Sequence, residues 1–321
     1  MVIHKDFSLA PLLWYKIGGK VRFLLDCANK EDIFQSLDFV EKNNIKKTCV
    51  IGLGSNMLFT DEYFDGAVVR IVREKNNLIS LNRDENIEAF AGETLDSLIH
   101  FSFDHSFIGL EWAGGLPGTV GAGVRGNVGA FGYELKDTVY QAEVLKIQDS
   151  HVDVASMNHT DLNFSYRNSR IKKDKSMIIL SATFILSKTD TAQVKKAKEE
   201  YQAKIQYRQT HHPLENPSCG SIFKNIVNKE QIAKVLSVWP DMSEKVEKDW
   251  HGKIAIGFVI NRLGFSGFRI GNAQVSAKHA NFIVNLDHAT FSDVTTIIKH
   301  IKNKCMETFQ FTPELEIEIV Q

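Results

Sequence analysis

The amino-acid sequence predicts an α+β chain of more than one compact unit. Three observations predict it. The 321 residues exceed what one hydrophobic core ordinarily supports. Helical and strand patterns both occur, with a long, mostly β stretch over 140–187. Residues 109–132 are crowded with glycine, which argues against a long regular element between the two kinds of pattern.

Taken in order, Asn29 to Asn44 predicts an amphipathic helix: Ile33, Leu37 and Val40 recur at helical spacing, and Asn29 can cap its start. Thr48 to Ile51 reads as a short buried strand running into Gly52-Leu53-Gly54-Ser55-Asn56. A strand feeding a glycine loop is the arrangement in which an α/β unit meets a ligand. Residues 66–72 predict another strand, and Thr94 to His105 a helix. Within the β stretch the strands are placed at Ala142 to Ile147 and Ser176 to Leu186. Asp190 to Arg208 is a charged helix with an apolar stripe at Val194, Ala197, Tyr201 and Ile205. The loop after it carries Pro213 and Pro217, and a domain boundary is placed here. Beyond it come helices near Lys229 to Val238 and Ile254 to Leu263, then a strand at Asn281 to Asn285. A final helix over Ser292 to Thr308, with Ser292 as cap, precedes a closing strand over Leu315 to Val320.

Composition narrows the function classes. Apolar residues make up 43% and charged residues 24%, which is ordinary for a globular protein. The net charge of -1 supplies no chain-wide basic field for nucleic acid or anionic lipid. Cys27, Cys49, Cys219 and Cys305 form no CxxC pair, so they read as reduced thiols of a cytoplasmic protein. The N-terminus lacks the apolar stretch of a signal peptide, and no apolar run approaches the roughly 20 residues that span a bilayer. The 11 histidines are scattered without HExxH, so no metal site is expected.

Six segments carry candidate chemistry. In Gly52-Leu53-Gly54-Ser55-Asn56, glycine lets backbone N–H groups approach an anion while Ser55 and Asn56 add donors. It departs from the dinucleotide fingerprint, because Met57 stands where the third glycine belongs. Gly114 to Gly123 and Asn127-Val128-Gly129-Ala130 form two further glycine-rich loops, whose small residues allow a flat ligand to pack against backbone. Tyr166-Arg167-Asn168-Ser169 offers a guanidinium fork for a carboxylate or phosphate. Ser218 to Asn225 places Ser221, Lys224 and Asn225 within one short span. Ser221 reads either as an acyl-transfer nucleophile, although no Gly-x-Ser-x-Gly elbow surrounds it, or as a proton donor. Gly267 to Phe282 is polar and cationic and holds His279, and Pro313-Glu314 precedes the last strand.

In their order, and over nearly the whole chain from Tyr15-Lys16-Ile17-Gly18-Gly19 to Pro313-Glu314, these segments resemble the UDP-N-acetylenolpyruvoylglucosamine reductases. The resemblance implies a two-part FAD-binding unit of the vanillyl-alcohol-oxidase type plus a smaller α+β substrate-binding domain. The divisions are 1–75, 76–200 and 201–321. It implies noncovalent FAD, since the FAD-like loops hold no His or Cys, with NADPH as co-substrate. Gly52, Gly54, Ser55, Asn56, Gly115, Gly118, Thr119, Gly121, Asn127 and Gly129 match cofactor-binding positions. Ser221 matches a serine that protonates the substrate, Arg167 an arginine on the substrate carboxylate, and Glu314 a glutamate acting with that arginine. To assist an anion, Glu314 must be protonated or hydrogen-bonded. Tyr166 and Asn225 match lesser substrate-site residues, and Lys224 and Arg208 are expected partners of the UDP diphosphate. A monomer acting on small molecules is expected.

The sequence departs from the family pattern at Ile226 (commonly Pro), Glu316 (commonly Arg), Phe131 (commonly Tyr) and Gly126 (commonly Met). The stretch between Arg167 and Ser221 lacks an insertion found in one subgroup, which places the chain with the compact subgroup.

Overall fold

The computed structural model describes residues 1–73, 78–148 and 151–321. The expected division between residues 75 and 76 lies outside the described residues. The chain forms two compact units. One comprises Met1–Phe7, Val21–Leu53 and Asp65–Thr210; the other comprises Ser8–Lys20, Gly54–Phe64 and His211–Gln321.

The first unit is built on two sheets. A four-stranded sheet has the order Val2–Ser8, Lys20–Cys27, Phe64–Ile71, Thr48–Ile51. Its last pair is parallel, with Thr48 opposite Ala67 and Ile51 opposite Arg70. Thr48–Ile51 is therefore an edge strand and not the buried strand expected: Val50 is 42% exposed and only Ile51 turns into the core. The helix Lys30–Lys42 begins at Asn29, whose side chain accepts the Asp32 N–H at 2.9 Å. Ile33 is its innermost residue.

The second sheet of this unit is antiparallel, in the order His151–Asn158, Val139–Gln148, Met177–Phe184, Ile87–Phe90, Ile79–Leu81. Met177–Phe184 lies at its centre and is buried along its whole length, which explains its unbroken apolar reading. His151–Asn158 was not among the expected strands: it is an edge strand whose residues are almost all exposed, Val152 and Val154 included, so no buried face marks it. The helix Leu95–Asp104 is capped by Thr94, and the short helix Val120–Gly126 packs on the central strand. Gly121 and Gly123 let the helix lie close to Ala91 and Leu135, because added Cβ atoms would lie 2.8 Å from Ala91 Cβ and 2.9 Å from Leu135 Cδ1. The unit ends in Thr191–His211, which buries Val194, Ala197 and Tyr201 as its stripe requires.

The second unit has its own core around the helix Phe291–Phe309, which buries Val294, Ile297, Ile298, Ile301, Cys305 and Phe309. Its cap is Thr290 and not Ser292: Thr290 Oγ1 accepts the Asp293 N–H at 3.1 Å, and Asp293 accepts the Thr290 N–H at 3.0 Å. This reciprocal box outcompetes a lone serine two residues later. The helix faces a small antiparallel sheet of Arg269–Ile270, Ala273–Val275 and Ile283–Asn285. Lys229–Val238 is helical over the expected residues, and Ile256–Arg262 is helical a little inside the expected range. The last strand is Glu318–Val320, which pairs in parallel with Met57–Phe59. Among the described residues no helix is long and apolar enough to cross a membrane, and no group of His, Cys, Asp and Glu is placed to hold a metal ion.

Candidate functional site

In the first unit, Gly52 ends the strand Thr48–Ile51 and lies flush against Thr119; an added Cβ would sit 2.5 Å from Thr119 Oγ1. Two glycine segments far apart in sequence therefore meet here. Thr119 is buried and caps Val120–Gly126. The main chain on either side is pinned: Leu95 N donates to Gly118 O at 3.1 Å, Val120 N to Glu93 O at 2.7 Å and Gly121 N to Ala91 O at 2.9 Å. Gly118 has φ +146°, and the nearest atom to an added Cβ is Leu95 Cδ1 at 4.0 Å, an ordinary van der Waals contact, so this glycine is not crowded.

Gly115, at φ +73°, packs on Ile205 and Arg208. The structure places Arg208 in this unit, 7% exposed, with Nε donating to Gly114 O at 2.8 Å. Its guanidinium lies 5.3 Å from the Phe131 ring, and Lys204 Nζ lies 4.4 Å from the same ring. Burial lowers the Arg208 pKa to about 10, which leaves it charged at neutral pH. Its Nη2 is buried with no hydrogen-bond partner among the described residues.

Asn127 holds this region together. It is fully buried, in the left-handed conformation (φ 45°) that ends the helix Val120–Gly126. Its Oδ1 accepts the Lys136 N–H at 3.0 Å, and its Nδ2 donates to Glu134 Oε2 at 3.1 Å and to Ser165 O at 3.0 Å. The last bond ties the loop to a tight turn, in which Ser165 and Asn168 exchange two 3.0 Å main-chain bonds and carry Tyr166 and Arg167 at the tip. Arg167 has φ +56°, a conformation costly for a residue with a Cβ. Its Nη2 returns to Gly129 O at 2.7 Å, and its guanidinium lies 5.1 Å from the Tyr166 ring. Tyr166, Arg167, Asn127 and Gly129 are thus brought together.

In the second unit, Gly54 has φ +64° and packs on Leu13. Ser55 follows it, half-buried. The Asn56 side chain donates to Glu316 O at 3.1 Å, which ties the start of the strand Met57–Phe59 to the C-terminal segment. Ser221 is half-buried, follows Gly220 at φ +80°, and forms a single bridge with Phe282. On the other edge of the same short segment, Lys224 N donates to Glu314 O at 2.9 Å and Glu316 N to Ile222 O at 2.8 Å. Lys224 Nζ reaches Glu314 Oε2 at 3.0 Å, while the Glu314 side chain is 73% exposed. Asn225 Oδ1 accepts the Ile256 N–H at 3.1 Å. Ile226, where proline is common, uses its N–H on Ile254 O at 3.0 Å, a bond proline cannot make. Ser221, Lys224 and Glu314 are thus joined through one stretch of main chain. Sequence reasoning missed the Lys224–Glu314 pair and the part played by Asn281, which holds this segment from the side facing Ser221. Neither has a local signal.

Comparison with known proteins identifies first the class. Residues 21–155 match the FAD binding domain family, which makes the chain a flavoprotein of α+β architecture. Residues 212–320 match the UDP-N-acetylenolpyruvoylglucosamine reductase C-terminal domain. The reductase of Caldicellulosiruptor saccharolyticus is 34% identical over 320 residues, covering 98% of this chain and 91% of that protein. That of Fusobacterium nucleatum is 33% identical, covering 95% of each. The chain belongs to the UDP-N-acetylenolpyruvoylglucosamine reductase family. The crystal structure of the Thermus caldophilus reductase covers 100% of both chains with a TM-score of 0.74 at 23% identity, a likeness of fold.

Proposed function

We infer that this chain reduces UDP-N-acetylglucosamine enolpyruvate to UDP-N-acetylmuramate, with FAD as cofactor and NADPH as hydride source, in the synthesis of peptidoglycan precursors. Family membership over almost the entire chain supports the reaction. The observation that carries the cofactor reading is the contact of Gly52 with Thr119, which makes one cradle of two glycine segments, with Gly118 uncrowded beside it. A flat cofactor with a diphosphate fits such a cradle, since backbone N–H groups can approach it without Cβ atoms in the way. Gly52, Gly54, Ser55, Asn56, Gly115, Gly118, Thr119, Gly121, Asn127 and Gly129 are the residues assigned to it. Asn127, whose side chain is already spent, serves by shaping the loop. When bound, FAD supplies the redox chemistry, passing hydride from NADPH to the enolpyruvyl group.

The remaining roles belong to side chains. Arg167 holds the substrate carboxylate and opposes the negative charge that develops beside it. Its turn is set in advance by Asn127, so little reorganisation accompanies the reaction. Glu314 acts with Arg167, and the Lys224 ammonium balances the charge of the Glu314 carboxylate beside an anionic substrate. Ser221 gives its hydroxyl proton to the α-carbon; a hydroxyl is a weak acid, so this role depends on placement. Tyr166 and Asn225 border the substrate, and Arg208 and Lys224 are the cations assigned to its diphosphate. By function, 1–75 and 76–200 are assigned to the cofactor, apart from Tyr166 and Arg167, and 201–321 to the substrate. The protein acts as a cytoplasmic monomer on small molecules and has no nucleic-acid partner.

The test is anaerobic stopped-flow absorbance of the holoenzyme. Ser221→Ala should be reduced by NADPH at the wild-type rate, and its flavin reoxidation by the enolpyruvyl sugar should slow by at least ~100-fold, the upper part of the range for general acid catalysis. Equal loss in both half-reactions would remove the proton-donor role.

A further inference from the structure

We infer that Asn281 positions Ser221 for protonation of the substrate; this assignment rests on the function proposed above. Asn281 is 4% exposed, and its side-chain amide is spent in both directions on the main chain of one residue. Oδ1 accepts the Phe223 N–H at 3.0 Å, and Nδ2 donates to Phe223 O at 2.8 Å. Its own carbonyl accepts the Ile222 N–H at 2.8 Å, and the next residue, Phe282, faces Ser221 in the bridge. The amide therefore takes the place of a peptide group in a neighbouring strand.

That substitution is needed here. In main-chain pairing, residues 221–226 form only isolated bridges, without a regular ladder on either side. Gly220, at φ +80°, has no atom within 4 Å of an added Cβ, so no side chain packs the main chain at the residue just before the serine, although Cys219 ahead of it is buried in the core. The residues after the serine supply the closer hydrogen-bonded restraint. Ile222 and Phe223 are both buried, and each has its N–H and C=O paired: Ile222 between Asn281 and Glu316, Phe223 wholly by the Asn281 side chain. Without that amide, the Phe223 N–H and C=O would lose their partners in the core, and the chain would move to recover them. Ser221, two residues upstream, would move with it.

Asn281 is held in turn. Its N–H lies 3.3 Å from His279 Nδ1, and the Phe282 N–H donates to His279 O at 2.9 Å. The sequence 279–282 thus forms a brace whose inner side grips the serine segment. A weak acid must be aimed closely to be useful, and a displacement of about 1 Å costs on the order of 100-fold in rate.

The experiment is a double-mutant cycle on the holoenzyme, with Asn281→Asp, Ser221→Ala and the pair. Asn281→Asp keeps the acceptor for Phe223 N–H and removes the donor to Phe223 O at constant shape. Reduction by NADPH should stay within twofold of wild type, and reoxidation by the sugar should fall ~30- to 100-fold. In the Ser221→Ala background, Asn281→Asp should cost no more than twofold, because a residue that acts through the serine has nothing left to position. Asn281→Ser, which is smaller and uncharged, repeats the cycle if the aspartate variant does not fold. Wild-type reoxidation with an unaffected Asn281→Asp, additive losses in the pair, or equal loss in both half-reactions would each overturn the assignment. Failure of the wild type itself to be reoxidised by the sugar would overturn the functional reading and this assignment with it.

Discussion

Replacing Asn127 with Ala should destabilise the first unit by about 4 kcal/mol, and the figure follows from what its side chain does. Three hydrogen bonds are lost, to Lys136 N, Ser165 O and Glu134 Oε2. Ser165 and Glu134 can recover water in part, so each lost bond is placed near the ~1 kcal/mol net value and not at the full penalty of an orphaned group. Alanine must also adopt the left-handed conformation at φ 45°, which asparagine tolerates and which costs other residues roughly 1 kcal/mol. Asn127→Gly provides the internal control: it loses the same three bonds without the Cβ penalty, so it should be about 1 kcal/mol less destabilised than Asn127→Ala. The assay is urea unfolding at one fixed FAD concentration, followed by circular dichroism and by flavin release. Flavin release should shift with the first unit, because Asn127 links the 127–130 loop to the turn bearing Arg167. A loss below ~0.5 kcal/mol for Asn127→Ala, or a glycine variant less stable than the alanine one, would refute the reasoning.

Two more outcomes are expected. At pH 8 the native protein should show one fast thiol to an aromatic disulfide reagent and four after unfolding: burial pushes Cys27 and Cys305 up to about 12 and Cys219 upward too, leaving Cys49 as the reactive one; two or more fast thiols would contradict this packing. Burial among Phe282, His212 and the Gly257 backbone holds His279 below its ordinary 6.5. The unfolded chain therefore binds more protons just below pH 6.5, so the stability from His279 is present above that pH and is lost as pH falls toward the native-state value. The urea midpoint of wild type should fall through this range more steeply than that of His279→Gln, and parallel curves would exclude the effect.

The elements most legible in the sequence are those whose cause is local. Asn29 and Thr94 cap their helices because capping needs only a side chain and the next turn. The stripe of Thr191–His211 and the inward face of Phe291–Phe309 follow from helical period alone. The glycine segments are visible as such, whereas the parts proposed for Ser221, Arg167 and Glu314 come from the resemblance to the family and not from any local pattern.

Tertiary structure decided the rest. No periodicity indicates that residues 54–64 fold with the C-terminal segment, or that Glu318–Val320 pairs with Met57–Phe59, since pairing across such a distance depends on complementary burial and not on neighbours in sequence. Thr48–Ile51 is apolar enough to look buried, yet its place at the sheet edge exposes it. Asn281 read as the polar first residue of a strand, whereas the strand itself is Ile283–Asn285. Only the approach of residues 221–223 makes its amide the partner of a buried peptide, because unpaired backbone in a core must find a partner wherever the fold can supply one.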